Sequence, residues 1–411
     1  FHSDLVVPAA ISAADMDGDG DIDIIAALEN QIFWYENIGG ESIFNPLQVI
    51  KTLSFNVGSL HTADLNGDGF ADIIVTAYNK ILFYENKGEK GVFAPGHEIC
   101  SLPGNLKSLY LSDLDGDGRV DILAAFDYNI FWLRNFGDDL GFSQQFGIDT
   151  LFCEVQFIYA ADLDEDGDLD VISAMRDDNE VAWYENVDGL GTFQRKSVIT
   201  ASADFVQFIY AADLNNNGNL DILIASAYDN KIAWYENKDG QGTFGDERII
   251  SRLADYPQYV HAADLDGDGD MDVFSASFHD DKVAWYENLD GQGSFRREQI
   301  ISTTADQAGF VNAIDLDGDG DLDIITASCD FKISWHRNTL PLKILREPKS
   351  KFVFPGSIIN LEVVANEYAT FFQWQINTEN GFIDLVESDI YTGCNTSELH
   401  IQEFTTDMLG S

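Results

Sequence analysis

The chain has 411 residues, 71 of them Asp or Glu against 23 Lys or Arg, which gives a formal net charge of −48. Such a surface repels a phosphate backbone or an anionic lipid headgroup, which argues against nucleic acid and simple membrane docking and suits cations or neutral partners such as sugars. Apolar residues still make up 45% of the chain, enough for one large domain and a smaller one, and no apolar run is long enough to read as a membrane span.

The chain opens on "FHSDLVVP", and a start at Phe1 rather than Met reads as a trimmed mature form or a fragment. The first acidic stretch, "DMDGDGDID" at residues 15–23, then returns six times. The copies begin at Asp15, Asp64, Asp113, Asp162, Asp213, Asp264 and Asp315, spaced by 49 residues three times and by 51 three times. An internal repeat of this regularity outranks any local reading.

Every unit follows one plan. In the fourth, the apolar run "VQFIYAAD" enters the acidic loop, then come "LDVISAM", "EVAWYEN" and, after a Gly-rich turn, "TFQRKSVIT". These are four short strands separated by Gly, Asp and Asn turns, with no helical periodicity. The third strand carries Trp34, Phe83, Trp132, Trp183, Trp234, Trp285 or Trp335, read as an apolar plug between neighbouring sheets. It closes on Asn37, Asn86, Asn135, Asn186, Asn237, Asn288 or Asn338, read as an Asx turn into the fourth strand.

Four-stranded units of about 50 residues fit the blades of a β-propeller, so seven units predict an all-β, seven-bladed ring over residues 1–340. The seventh unit ends at "KISWHRN" with no fourth strand after it. The N-terminal segment, or residues before Phe1, is expected to complete that blade.

The acidic loops read D-x-[DN]-x-[DN]-G-x-x-D. Positions 1, 3, 5, 7 and 9 are Asp15, Asp17, Asp19, Asp21 and Asp23 in the first copy, and Asp64, Asn66, Asp68, Phe70 and Asp72 in the second. They are Asp113, Asp115, Asp117, Arg119 and Asp121 in the third, and Asp162, Asp164, Asp166, Asp168 and Asp170 in the fourth. The fifth has Asp213, Asn215, Asn217, Asn219 and Asp221, and the sixth Asp264, Asp266, Asp268, Asp270 and Asp272. The seventh has Asp315, Asp317, Asp319, Asp321 and Asp323. Alternating acids on a tight loop converge their oxygens, and the glycine at position 6 lets the backbone turn the position 7 carbonyl inward. Calcium takes about six to eight hard oxygens at roughly 2.3–2.6 Å, whereas zinc would want His or Cys. Position 12 is not the Glu of an EF-hand, and a strand follows rather than a helix. The Asp at position 9 is expected to close the site instead. Up to seven structural calcium ions would bring the formal charge to about −34. The fifth site, with two carboxylates among positions 1, 3, 5 and 9, should be weakest.

The loops of the type "AADLDGDGDLD", followed by strands such as "DNKIAWYEN" and a Gly-rich turn, resemble the FG-GAP or VCBS repeat family, which includes the integrin α-subunit propeller and many secreted bacterial proteins. The resemblance covers roughly residues 1–340. It implies a seven-bladed propeller with calcium between the first and second strands of each blade. It also implies roles in adhesion, in lectin-like sugar binding or in polysaccharide breakdown. The Asn-rich fifth loop and the missing last strand depart from the pattern.

From residue 341 to 411 the acidic repeats stop. "SIINLEVVA", "FFQWQIN" and "SELHIQEF" read as strands and resemble an immunoglobulin-like module with Trp374 as its core tryptophan, lacking the second-strand cysteine and ending before its last two strands. The four cysteines, Cys100, Cys153, Cys329 and Cys394, have no zinc or CxxC spacing. They read as thiols, with a Cys100–Cys153 bridge left open.

On the face away from the acidic loops, Tyr78, Tyr128, Tyr228, Tyr256, Phe278 and His279 are expected in exposed loops, either packing there or binding a ligand. Three residues before each first Asp runs a polar column, Ser12, His61, Tyr110, Tyr159, Tyr210, His261 and Asn312, expected along the central channel. His61, His261, Tyr159 and Tyr210 are the candidates for acid–base catalysis of polysaccharide elimination. No Ser-His-Asp order or phosphate loop stands out, and the reading leans away from an enzyme. Three functions are carried: a secreted or cell-surface calcium propeller that recognises glycans or extracellular proteins, a polysaccharide lyase or hydrolase on the same ring, and a spacer in a larger surface protein.

Overall fold

The computed structural model describes residues 10–338 except 40–43, 89, 138–140, 144, 152, 177 and 331. In the C-terminal unit it describes residues 344–346, 359–362, 364–365, 374–378, 381–388, 390–394 and 396–401. The chain divides into two compact units, Phe1–Asn338 and Thr339–Ser411.

The first unit is a β-propeller of seven antiparallel sheets. Unit four shows the plan: an inner strand Val155–Ala161, then Asp170–Met175, Glu180–Asn186 and an outer strand Phe193–Thr200, hydrogen-bonded in chain order. Six sheets have four strands in this meander, and the seventh has three among the described residues, Phe310–Ile314, Asp323–Ala327 and Ile333–His336. The segment expected to complete it, residues 1–8, lies outside the described residues.

The second strands are buried on both faces because each sheet is sandwiched between two others. Seven apolar clusters result, one per seam. The fourth-to-fifth seam, for instance, joins Ile172, Ala174 and Trp183 to Ile209, Ile222 and Ile224. The last sets Leu316, Ile325 and Ala327 of sheet seven against Ile11, Ile24 and Ala26 of sheet one.

The third-strand aromatics fill these seams as plugs. Trp34, Phe83, Trp132, Trp183 and Trp234 are buried, while Trp285 and Trp335 are partly so. Four of the plugs, Trp34, Trp132, Trp183 and Trp234, are covered by the hairpin of the next unit. The backbone of Gly91, Gly191, Gly242 and Gly293 lies so close to Trp34, Trp132, Trp183 and Trp234 that a β-carbon would meet the indole at 3.0 Å or less.

In the C-terminal unit, Ile359–Glu362, Glu398–Ile401 and Tyr391–Thr392 form one small sheet, and Gln375–Thr378 pairs with Gly381–Asp384. The Trp374 indole N–H donates to the Thr396 carbonyl at 2.9 Å. No disulfide joins Cys100 to Cys153 or links any other pair of the four cysteines. Among the described residues no helix is long and apolar enough to cross a membrane.

Candidate metal centres and binding face

Each acidic loop is organised first by its own backbone. The carboxylate at position 1 accepts the N–H of the position 6 glycine in all seven copies, from Gly20 to Asp15 at 3.0 Å through to Gly320 to Asp315 at 2.9 Å. Those glycines sit at φ between 85° and 94°, which a side chain would strain. The position 9 aspartates, expected to close the ion site, are buried and act mainly as backbone anchors. Asp170 accepts the Leu163 N–H on one oxygen at 3.2 Å and the Asn186 N–H on the other at 2.8 Å. Burial pushes these carboxyls up, Asp23 to about 6 and Asp72, Asp121, Asp170, Asp221 and Asp272 to about 7. Ionising them without a nearby cation is costly.

Carboxylate oxygens of positions 1, 3 and 5 gather within 4.8 Å of one another in units one, four and six. In units three and seven the group is instead positions 1, 3 and 9: Asp113, Asp115 and Asp121, and Asp315, Asp317 and Asp323. The Asn-bearing loops two and five form no such carboxylate group among the described residues. A cation fits four of these clusters, those of units one, three, four and seven, on a separate observation. The position 3 side chains Asp17, Asp115, Asp164 and Asp317 are at most 9% exposed, and each has an Oδ1 with no hydrogen-bond partner. Buried carboxylate oxygens are not left so without cost.

The third-strand asparagines do more than turn the chain. Asn86 and Asn135 take the Asx contact through their side-chain oxygens, from Gly88 and Gly137. In all seven units, however, the amide nitrogen reaches the preceding sheet and donates to the position 2 carbonyl of its acidic loop, at 2.7–3.0 Å. The pairs run Asn86 to Met16, Asn135 to Leu65 and so on, ending with Asn37 to Leu316. Each acidic loop is therefore tied into the next seam. The equal spacing of Asn and loop was the available signal.

Six stretches of the chain, residues 15–75, 64–124, 113–173, 162–224, 213–275 and 264–326, match the FG-GAP-like repeat family. The chain belongs to the FG-GAP-like repeat family. Among solved structures, its repeats resemble a lectin of Agrocybe aegerita described as recognising non-reducing terminal N-acetylglucosamine. The two share 22% identity, with a TM-score of 0.57 over 73% of this chain and 81% of the lectin. A second likeness is to the extracellular domain of a hybrid two-component system from B. thetaiotaomicron, at 13% identity and a TM-score of 0.52. It covers 84% of this chain but 40% of the other. At these identities the likeness is one of fold. No curated protein sequence matches the chain.

Within the FG-GAP ring, the polar column lies along the inner strands as expected. Tyr110, Tyr159, Tyr210 and His261 pack ring on ring, with centroids 4.8, 5.7 and 4.2 Å apart in turn. Ser12 bonds to Thr62 at 2.7 Å, and His61 to Ser59 at 3.2 Å. A second tier two residues earlier, Phe157, Phe208, Tyr259 and Phe310, stacks alongside at 4.3, 3.7 and 5.0 Å. Alternation along a strand put it on the same side, a signal the sequence offered and the reading missed. Burial lowers His61 and His261 to about 4 and raises Tyr159 and Tyr210, so imidazoles and phenols alike stay neutral near pH 7. Neutral stacked rings are a packing arrangement first.

The opposite face carries the expected loop aromatics. Tyr228, Tyr256, Phe278 and His279 form one cluster together with Phe205, which the sequence reading did not name. Tyr256 lies 5.8 Å from Tyr228 and 4.6 Å from His279, and Phe205 is 4.5 Å from Tyr228. Arg176 covers Phe205 at 4.9 Å while pairing with Glu154 at 3.2 Å. Phe278 corrects its expectation: it is 8% exposed, packed beneath Tyr256, and its N–H bonds the Tyr256 carbonyl at 3.0 Å. Tyr228 is 57% exposed. Phe205 and Tyr256 adopt φ of 60° and 59°, unfavourable for bulky side chains. Tyr78 and Tyr128 are exposed on other units, Tyr78 beside a groove lined by Phe55, Val57 and Lys80.

Proposed function

We propose that this chain is a calcium-stabilised propeller, working outside the cell or on its surface, that recognises glycans through the face opposite its acidic loops. The observation that carries the recognition reading is the cluster of exposed Tyr228 and His279 around half-buried Tyr256, packed against buried Phe278 and strained at Tyr256. Rings held in place with polar edges suit the apolar faces and hydroxyl rims of sugars at little entropic cost. The lectin of like fold supports the same class of ligand, and the extracellular domain of like fold supports the location.

For the metal, the residues that would hold it are the carboxylates at positions 1, 3, 5 and 9, with the position 7 carbonyl. Calcium, when bound, supplies the positive charge that crowded carboxylates lack. The chain's own part is to place those oxygens. The position 6 glycine turns the loop, position 9 anchors it, and the strand-three Asn fixes it to the adjoining sheet.

The recognition reading is tested by titrating the full chain with oligosaccharides ending in N-acetylglucosamine and with a wider glycan panel. Tyr228→Ala should weaken binding at least about fivefold, the loss of an anchor worth about 1 kcal/mol, with unchanged melting. Silence across the panel, or unaltered affinity in both Tyr228→Ala and Tyr256→Ala, rejects it.

A further inference from the structure

The residue before each strand-three asparagine is Glu36, Glu85, Glu185, Glu236 and Glu287 in five units, but Arg134 in unit three and Arg337 in unit seven. In units two, three, five and seven that position contacts the acidic loop of its own unit. In units two and five the glutamates lie 3.5 Å from the position 3 side chains, Asn66 and Asn215. Where arginine replaces glutamate, a carboxylate beside the loop becomes a guanidinium.

The two arginines act identically. Arg134 sets its Nε 2.6 Å from Asp115 at position 3 and its Nη2 3.0 Å from Asp117 at position 5. Arg337 sets the same atoms 2.7 Å from Asp317 and 3.0 Å from Asp319. These are the two units whose carboxylate group lacks position 5 and draws on position 9 instead. In each, one planar fork occupies an oxygen of the position 3 carboxylate and one of position 5, the same groups a cation would need.

Lysines do not have this effect. Lys90 touches Asp17 at 3.3 Å and Lys196 touches Asp164 at 3.1 Å, but each is shared with a strand-three glutamate, Glu36 or Glu185. Units one and four keep the group of positions 1, 3 and 5. The inner Oδ1 atoms of Asp115 and Asp317, in side chains at most 3% exposed, still lack a partner, so a cation is still invited there, against one more positive charge and one fewer donor.

We infer that Arg134 and Arg337 are built-in counter-ions that make the hairpins of units three and seven low-affinity calcium sites, leaving the loops of units one, four and six as the three tight ones. This rests on calcium being the cation of the acidic loops. It places units three and seven beside the Asn-bearing loops two and five, where carboxylate count alone would rank them with the strongest.

The test is calorimetric titration of calcium into the full chain. The wild type should take up about three tight equivalents. Arg134→Glu and Arg337→Glu, which install the residue of the other five units, should each add one tight equivalent, with affinity there raised at least about tenfold. Should either Glu variant fail to fold, Arg134→Gln and Arg337→Gln read the same property by melting: a lower Tm than wild type in chelator, and a larger rise when calcium is added. Seven equivalent sites in the wild type, or Glu and Gln variants that titrate and melt like the wild type, overturn the inference but leave calcium in place. No calcium uptake by the wild type overturns the calcium reading and the inference with it.

Discussion

Asn237 serves three partners at the seam between units four and five. Its backbone N–H donates to Asp221 at 2.8 Å, its side-chain nitrogen to the Leu163 carbonyl at 2.8 Å, and its side-chain oxygen accepts the Gly242 N–H at 3.3 Å. The side chain is fully buried, and so are its bonds to Asp221 and Leu163, so the Leu163 carbonyl has no water as a substitute. Asn237→Ala should therefore cost about 1–3 kcal/mol in urea denaturation, the range for stranding a buried acceptor. A loss below about 0.5 kcal/mol would mean the seam is held by apolar contact alone. Residues of this kind were half legible. The recurrence of Asn was plain, and its turn-forming role followed from chemistry. Its real partner is 74 residues away, on a neighbouring sheet, and only the stacking of sheets brings the two together. The exchange of Glu for Arg at positions 134 and 337 was equally open to view. It acquired meaning only once the strand end was seen to face the loop. Phe278 failed for the opposite reason: a loop position suggested exposure, and the ring of Tyr256 lies over it.

At the scale of strands and hairpins, the period of two and the turn residues were enough. Every strand-three aromatic was read as a plug, and five of the seven are buried as one. What covers four of them was not foreseen, because the cover comes from the next unit's hairpin. Gly242 shows how tight that cover is. It holds φ at +77°, and a β-carbon there would lie 1.6 Å from the Trp183 ring, which has no room to retreat. Gly242→Ala should lower stability by about 2–4 kcal/mol, from overpacking and left-handed strain together. Gly39→Ala is the control, since it shares the positive φ, at +76°, but meets nothing within 4 Å. Its cost should be the backbone share alone, about 1 kcal/mol. Equal losses in the two variants, measured by denaturant midpoint, would show that the tryptophan contact contributes nothing.

For the whole ring the controlling quantity is charge. A formal −48 is held by a core divided into seven seams, and several of the 23 Lys and Arg, among them Lys90, Arg134, Lys196 and Arg337, are already committed to acidic loops. Two forces could relieve the rest, and they separate experimentally. General repulsion between surface charges is screened by any salt, with a Debye length of about 3 Å at 1 M. Coordination at fixed oxygens needs a dication of suitable size, and magnesium, which prefers a strict octahedron and its own waters, fits poorly. At a hundredfold excess over Kd each occupied site adds about 2.7 kcal/mol, so even three tight sites rival the 5–15 kcal/mol of a typical domain. Chelation should then lower Tm by more than about 10 °C, and millimolar calcium should restore it. Magnesium at the same concentration should restore only part, and 1 M sodium chloride in chelator less still. If sodium chloride recovers the full Tm, the acidic hairpins are crowded charges in need of screening rather than cages for an ion, and the position 3 oxygens without partners would need another explanation.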